Sequence, residues 1–227
     1  MRRPFLLSLL ALLIGSVLLS AQGGGGLRSG PKEGDFLPGP FDCYNFNGLH
    51  KGRFHCLVCR YALDPAVLVF VREPGEGKSA AVDALLKRLE EAVTVEFRKH
   101  ELRAGVIFLS PDAQNSATNP DEQDPAKLVE EAKKRDALYA RLADRAANFK
   151  GVDIAVFPPG GPKDYQINPK AEATVLFYWK LRVVMNRSFA PGTLREEDID
   201  KMLARIKETL EPAKNKGKNK GDAGKKT

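Results

Sequence analysis

Residues 67–71, Val-Leu-Val-Phe-Val, form an unbroken apolar run rich in β-branched side chains. Such a run has no polar alternation, so it reads as a strand buried on both faces, and it demands cover on each side of any sheet that contains it. The cover is legible next. Val82, Leu85, Leu86, Leu89 and Val93 recur at helical spacing, which predicts an amphipathic helix from about Ser79. Val106 to Leu109 is a second buried strand. The polar stretch 110–124 follows, and Asp124 is placed to cap a helix whose first residue is Pro125. That helix carries Leu128, Ala132, Leu138, Leu142 and Ala146, and Val152 to Phe157 is a third strand, closed by Pro158-Pro159-Gly160-Gly161. Strands alternating with helices predict a parallel sheet.

The remaining elements differ in kind. Ala173–Tyr178 and Leu181–Met185 are too close in sequence for a crossover and predict an antiparallel hairpin. A last helix opens on a Thr193/Glu196 capping box and buries Ile199, Met202, Leu203, Ile206 and Leu210. No internal repeat is present.

Four parts are expected along the chain: a secretory signal at 1–21, a Gly/Pro-rich linker at 22–40, one domain at 41–212 and a disordered lysine-rich tail at 213–227. Arg2 and Arg3 precede an apolar run from Phe5 to Leu19 that ends in Ser20 and Ala21. This predicts export to the periplasm or the extracellular space, with cleavage near Ala21. The run is about 15 residues, short of the roughly 20 a spanning helix needs, so no stable membrane insertion is expected. The formal charge of +7 is carried by the ends, with two charges at Arg2 and Arg3 and five in the tail, so the body is neutral. A neutral body lacks the one-faced basic footprint of a nucleic-acid binder, and no nucleic-acid partner is expected. Oligomeric state is not legible.

The order strand, helix, strand, helix, strand, hairpin, helix resembles thioredoxin-like proteins, and the helix and strand inserted before the hairpin resemble the redoxin and peroxiredoxin branch. "ATVLFYWKLRVVMNRSF" (173–189) is similar to the strand, tight turn and returning strand of that family. The resemblance covers about Val67 to Leu210. It implies an α/β, three-layer thioredoxin-like fold: a mixed central sheet, helices on both faces, and a C-terminal β-hairpin plus helix. It also implies protein thiols or disulfides as substrates and no bound cofactor. Two landmarks of the family are replaced. Ser79 stands where a peroxidatic cysteine would begin the first helix, so ordinary peroxiredoxin chemistry is not expected. Ala173, with Pro169 the nearest proline, stands where the family has a cis-proline.

The thiols lie elsewhere. Cys56 and Cys59 form a CxxC upstream of the first core strand, flanked by Arg53, His55 and Arg60, cations of the kind that stabilise a thiolate. Cys43 is a third thiol, able to pair with either or to resolve a mixed disulfide. By resemblance, Cys56 attacks and Cys59 resolves. Three readings stay open: thiol-disulfide exchange, a structural disulfide in a non-catalytic binding or scaffold domain, and zinc held by Cys43, Cys56, Cys59 and His50 or His55. Zinc has the least behind it, because there is one CxxC and no HxxxH, and no metal is assigned. Because the CxxC precedes a parallel strand, sequence order alone places it away from the carboxyl edge where open α/β sheets bind ligands. "REPGEGKS" (72–79) lacks the first glycine of a P-loop and reads as a turn feeding a helix. Asn186-Arg187-Ser188 matches a glycosylation sequon. Residues 158–165 are placed to form a rim loop, and Tyr178 and Trp179 read as packing or edge residues.

Overall fold

A computed structural model describes residues 27–72, 79–113 and 124–212. The expected signal, the interior of the 72–79 turn and the expected tail lie outside the described residues. Seven strands form one mixed sheet: β1 (Cys43–Asn45), β2 (Arg53–His55), β3 (Ala66–Arg72), β4 (Arg103–Leu109), β5 (Val152–Phe157), β6 (Ala173–Trp179) and β7 (Arg182–Phe189). Their spatial order is β2-β1-β5-β4-β3-β6-β7. β3, β4 and β5 are parallel, and β1 and β6 flank them antiparallel.

The central strands are buried on both faces, as their composition requires. Val67, Val69 and Val71 of β3, Val106 and Phe108 of β4, and Ile154 and Val156 of β5 point into one core. The intervening Leu68, Phe70, Ile107, Leu109 and Ala155 point into a second. The first core is covered by α2 (Ala80–Glu91), α3 (Pro125–Ala146) and α4 (Glu196–Leu210), through Leu85, Leu86, Leu138, Leu142, Ile199 and Met202. Each such side chain contributes about 1.5–3 kcal/mol when fully buried. Among the described residues, the second core is covered by α1 (Leu57–Tyr61) and the segments around Leu37, Phe41, Tyr165 and Ile167. Helices therefore lie on both faces, but unequally.

Local signals explain the boundaries. Ser79 caps α2 by accepting from the Val82 N–H at 3.4 Å, and the Asp124 carboxylate accepts from the Ala126 N–H at 2.9 Å with Pro125 in the first turn. The expected Thr193/Glu196 box is displaced. α4 starts at Glu196, Asp198 accepts from the Arg195 N–H at 3.2 Å, and the Thr193 hydroxyl instead donates to Ala190 O at 2.9 Å. The turn through Gly192 (φ +71°) uses Thr193 before the helix begins. An arginine side chain carries no acceptor, so the box at Arg195 is half-formed. The hairpin turns on Lys180 and Leu181, both at positive φ, and β7 runs four residues beyond the expected Met185. Residues 34–37, within the stretch read as linker, lie along β7: Gly34 N–H donates to Val183 O and Leu37 N–H to Leu181 O, both at 2.8 Å.

The α3–β5 turn is tied to α2 by one carboxylate. Glu90 accepts from the amides of Lys150, Gly151 and Val152 at 2.9–3.0 Å. Gly151 permits the approach, because a Cβ there would sit 2.6 Å from the Thr94 methyl. Replacing Glu90 with alanine strands three amides, and the expected cost is about 1–3 kcal/mol. Urea unfolding of Glu90→Ala should show a lower midpoint at an unchanged slope.

Candidate redox site

The two short strands that sequence reading missed carry the cysteines into place. β1 and β2 pair antiparallel, Cys43 opposite His55 and Asn45 opposite Arg53. The buried Asn45 amide donates to Cys43 O, Arg53 O and His55 O at 2.7, 3.2 and 3.2 Å. Asn47 pins the hairpin to the rest of the sheet: its amide donates to Ala146 O, Phe149 O and Val152 O, and its oxygen accepts from the Ile154 N–H at 2.7 Å. These asparagines satisfy backbone groups that three-residue strands leave unpaired.

The register answers where the CxxC lies. Tyr44 pairs with Val156, so Cys43 stands level with Phe157, the last residue of β5. His55 pairs with Cys43, and the chain therefore reaches Cys56 on the side where the parallel strands end. The expectation from sequence order is corrected: the β1–β2 hairpin reverses the chain once more before the cysteines. α1 then runs back across the second face toward the start of β3. Leu57 and Tyr61 pack over Gly105 of β4, where a Cβ would lie 2.7 Å from Leu57 Cδ1 and 2.9 Å from the Tyr61 hydroxyl. A glycine inside a strand is a recognised sign of close approach by another element, and it was the one sequence signal available for this contact.

Cys56 is the N-cap of α1, and its sulfur accepts from the Cys59 N–H at 3.0 Å. Cys56 and Cys43 are buried and Cys59 is exposed, and all three are free thiols. The Cys43 thiol donates to His55 O at 3.4 Å. Burial, followed by the charge of Cys56, pushes the Cys43 thiol up to about 12. The Cys59 thiol is pushed up to about 11, first by desolvation of its sulfur and then by its hydrogen bond and charge interaction with Cys56. Although Cys59 is exposed as a residue, its sulfur is turned toward Cys56.

Arg60 and His55 of the neighbouring basic residues are engaged away from the thiols. Arg60 pairs with the buried Asp153 at 2.6 Å. The Tyr61 hydroxyl also meets Asp153, at 2.6 Å, with Ala104 O at 2.9 Å, and burial followed by the Asp153 charge raises its pKa well above the ordinary value. His55 stacks on His50 with ring centroids 3.4 Å apart, and the His50 pKa is lowered by desolvation and then by His55, Arg60 and Arg53. Among the described residues no group of three His, Cys, Asp or Glu side chains is arranged to hold a metal ion.

The rim loop 158–165 lies beside the thiols. Tyr165 donates to Gly39 O at 2.8 Å, packs edge-on against Phe41 at 5.1 Å, and is near enough to Cys56 and Cys59 for their charges to raise its pKa after burial has done so. A cleft of about 160 Å³ opens here, lined by Gly39, Phe41, Phe157, Pro162, Lys163 and Tyr165 among others. Tyr178 is fully buried, with no hydrogen-bond partner for its hydroxyl, and Trp179 is exposed at the hairpin end. Asn186 of the sequon donates its amide to Ser29 O and Pro31 O at 2.7 and 2.6 Å, an internal role. Ser79, in the place of a peroxidatic cysteine, is the α2 cap.

Strand order, strand direction and the terminal hairpin and helix make the fold thioredoxin-like, with the CxxC carried upstream of the first core strand. No protein-family model matches the chain, and no curated protein does. Solved structures similar to it include a thiol peroxidase from Chromobacterium violaceum, at 13% identity over 81% of this chain and 91% of that one, with a TM-score of 0.47. A putative thiol:disulfide interchange protein DsbE from Chlorobium tepidum is 12% identical over 82% and 99%, with a TM-score of 0.45. A hypothetical protein from Sinorhizobium meliloti is 11% identical over 82% and 85%, with a TM-score of 0.47.

Two measurements probe the geometry. With its thiol at about 11, Cys59 should react with iodoacetamide about tenfold faster per pH unit between about pH 7 and 10, following the thiolate fraction. A plateau by about pH 8 would contradict the environment described. In Gly105→Val, α1 must lift off β4, so Cys56 should become alkylated together with Cys59 and stability should fall by roughly 1–3 kcal/mol.

Proposed function

We propose that this chain is an exported thiol-disulfide exchange protein acting on protein thiols and disulfides through Cys56 and Cys59. The observation that carries the reading is the pairing of an exposed Cys59 with a buried Cys56 whose sulfur already rests on the Cys59 amide at 3.0 Å, on the carboxyl side of the parallel strands. Exposure favours Cys59 as the attacking thiol and Cys56 as the resolving one, the reverse of the order that resemblance implies. Export is supported by Arg2, Arg3 and the apolar run to Leu19.

The chemistry needs no cofactor. The Cys59 thiolate attacks one sulfur of a substrate disulfide, the other substrate sulfur leaves and takes a proton from water, and a mixed disulfide forms. Cys56 then loses its proton to water and attacks the Cys59 sulfur. The second substrate thiol leaves, and two electrons have passed to the substrate. A raised Cys59 pKa withholds stabilisation from the reduced state, so the pair favours its disulfide and acts as a reductant when reduced. His55 and Arg60 would influence this balance only as far as their contacts with His50 and Asp153 release them, and Arg53 would act from an exposed position.

A second reading is favoured by the same raised pKa values and by the Ser79 cap: a non-catalytic binding domain whose cysteines form a structural disulfide. Trapping separates the two. Cys56→Ser, which retains Cys59, should accumulate a covalent adduct with insulin or with another disulfide-bonded protein, and Cys59→Ser should not. The wild-type protein should speed insulin reduction by dithiothreitol, with Cys59→Ser about tenfold or more slower. No adduct and no acceleration would leave the structural reading standing.

A further inference from the structure

The third thiol is held against the CxxC by the backbone that leads into Cys56. Cys43 donates to His55 O at 3.4 Å, and its sulfur lies near enough to Cys56 and to the Leu57 backbone for both to act on its pKa. His55 and Leu57 are the two neighbours of Cys56. Cys43 is also the cross-strand partner of His55, and such partners stand about 4.5–5.5 Å apart at Cα. The residue after that partner therefore falls near the 4.4–6.8 Å Cα separation that a disulfide spans. Cys43 and Cys56 share one buried cluster with Leu57, Tyr61 and Tyr165, whereas Cys59 is exposed as a residue.

We infer that Cys43 is a second resolving thiol, so that oxidation of the CxxC passes inward to a Cys43–Cys56 disulfide and returns Cys59 to the surface as a free thiol. This rests on the exchange reading above. The balance is an isomerisation. The Cys43 thiolate, its proton released to water, attacks the sulfur of Cys56 in the Cys56–Cys59 disulfide; the Cys43–Cys56 bond forms, the Cys56–Cys59 bond breaks, and Cys59 leaves as thiolate and is protonated. No oxidant is consumed beyond the substrate disulfide that made the first bond. The new bridge closes the β1–β2 hairpin and lies in the second core, out of reach of solvent thiols. The consequence is a further activity: the two-electron-oxidised protein keeps a surface nucleophile and can open and re-form a mispaired protein disulfide without net transfer of electrons.

The oxidised form has one thiol left, and its identity decides the matter. The full chain, reduced and then treated with one equivalent of diamide, is pulsed with iodoacetamide and mapped by tandem mass spectrometry, with cleavage after Leu57 to separate Cys56 from Cys59. The expected result is a Cys43–Cys56 bridge with the label on Cys59, taken up as fast as in the reduced protein. A Cys56–Cys59 bridge with Cys43 left as a slow, buried thiol overturns the relay and leaves the exchange reading intact. Absence of any bridge, together with the lack of an insulin adduct in Cys56→Ser, overturns both. In Cys43→Ala the fast surface thiol should disappear from the oxidised form. Because the mapping is made on the wild-type chain, the result does not depend on that variant's folding.

Discussion

Two-sided burial of β3, β4 and β5 is the constraint from which the molecule follows. Alternate side chains of each strand enter separate cores, and each core needs a lid. One lid consists of three amphipathic helices. The other is assembled from a five-residue helix, a segment near the N-terminus and the loop after β5, each too small to cover the face alone. The cysteines belong to this second lid, so the chemistry of the site and the closure of a core use the same residues. That is why the Cys43 and Cys59 thiols are hard to ionise: a sulfur that helps to seal an apolar layer loses the solvation a thiolate needs.

The sequence was most legible where burial imposes a period. Val67–Val71, Val106–Leu109 and Val152–Phe157 announced their strands, and Asp124-Pro125 announced a helix start to the residue. It was least legible where structure depends on a few polar atoms. β1 and β2 have three residues each, too short to show alternation, and what holds them is Asn45 and Asn47 reaching backbone groups on distant elements. Missing that hairpin reversed the inferred direction of the chain at Cys56. The Thr193 misreading has a similar origin, since the motif was present but the Gly192 turn had already engaged its hydroxyl.

The candidate site was legible in its residues and not in its arrangement. The CxxC and the third cysteine stand out by composition, and the structure gathers all three. Their relative exposure was invisible, because it depends on α1 lying with Leu57 and Tyr61 inward, a five-residue orientation too short for a helical stripe to reveal. The basic residues were read as partners of the thiols. Arg60 finds a buried carboxylate at Asp153 instead, a partner more than ninety residues away, and such long-range pairs leave no local trace in sequence.

Gly105 gives the site a form of control that involves no charge. The depth at which α1 rests on the sheet is set by a single missing side chain in β4, beneath Leu57 and the Tyr61 hydroxyl. The depth of the helix fixes how far the sulfur of Cys59 is drawn toward Cys56 and how much of it meets solvent. The environment of the thiols is thus adjustable by bulk: a methyl group added beneath the helix presses on Leu57 and the Tyr61 hydroxyl and, through α1, alters the hydration of a sulfur above it.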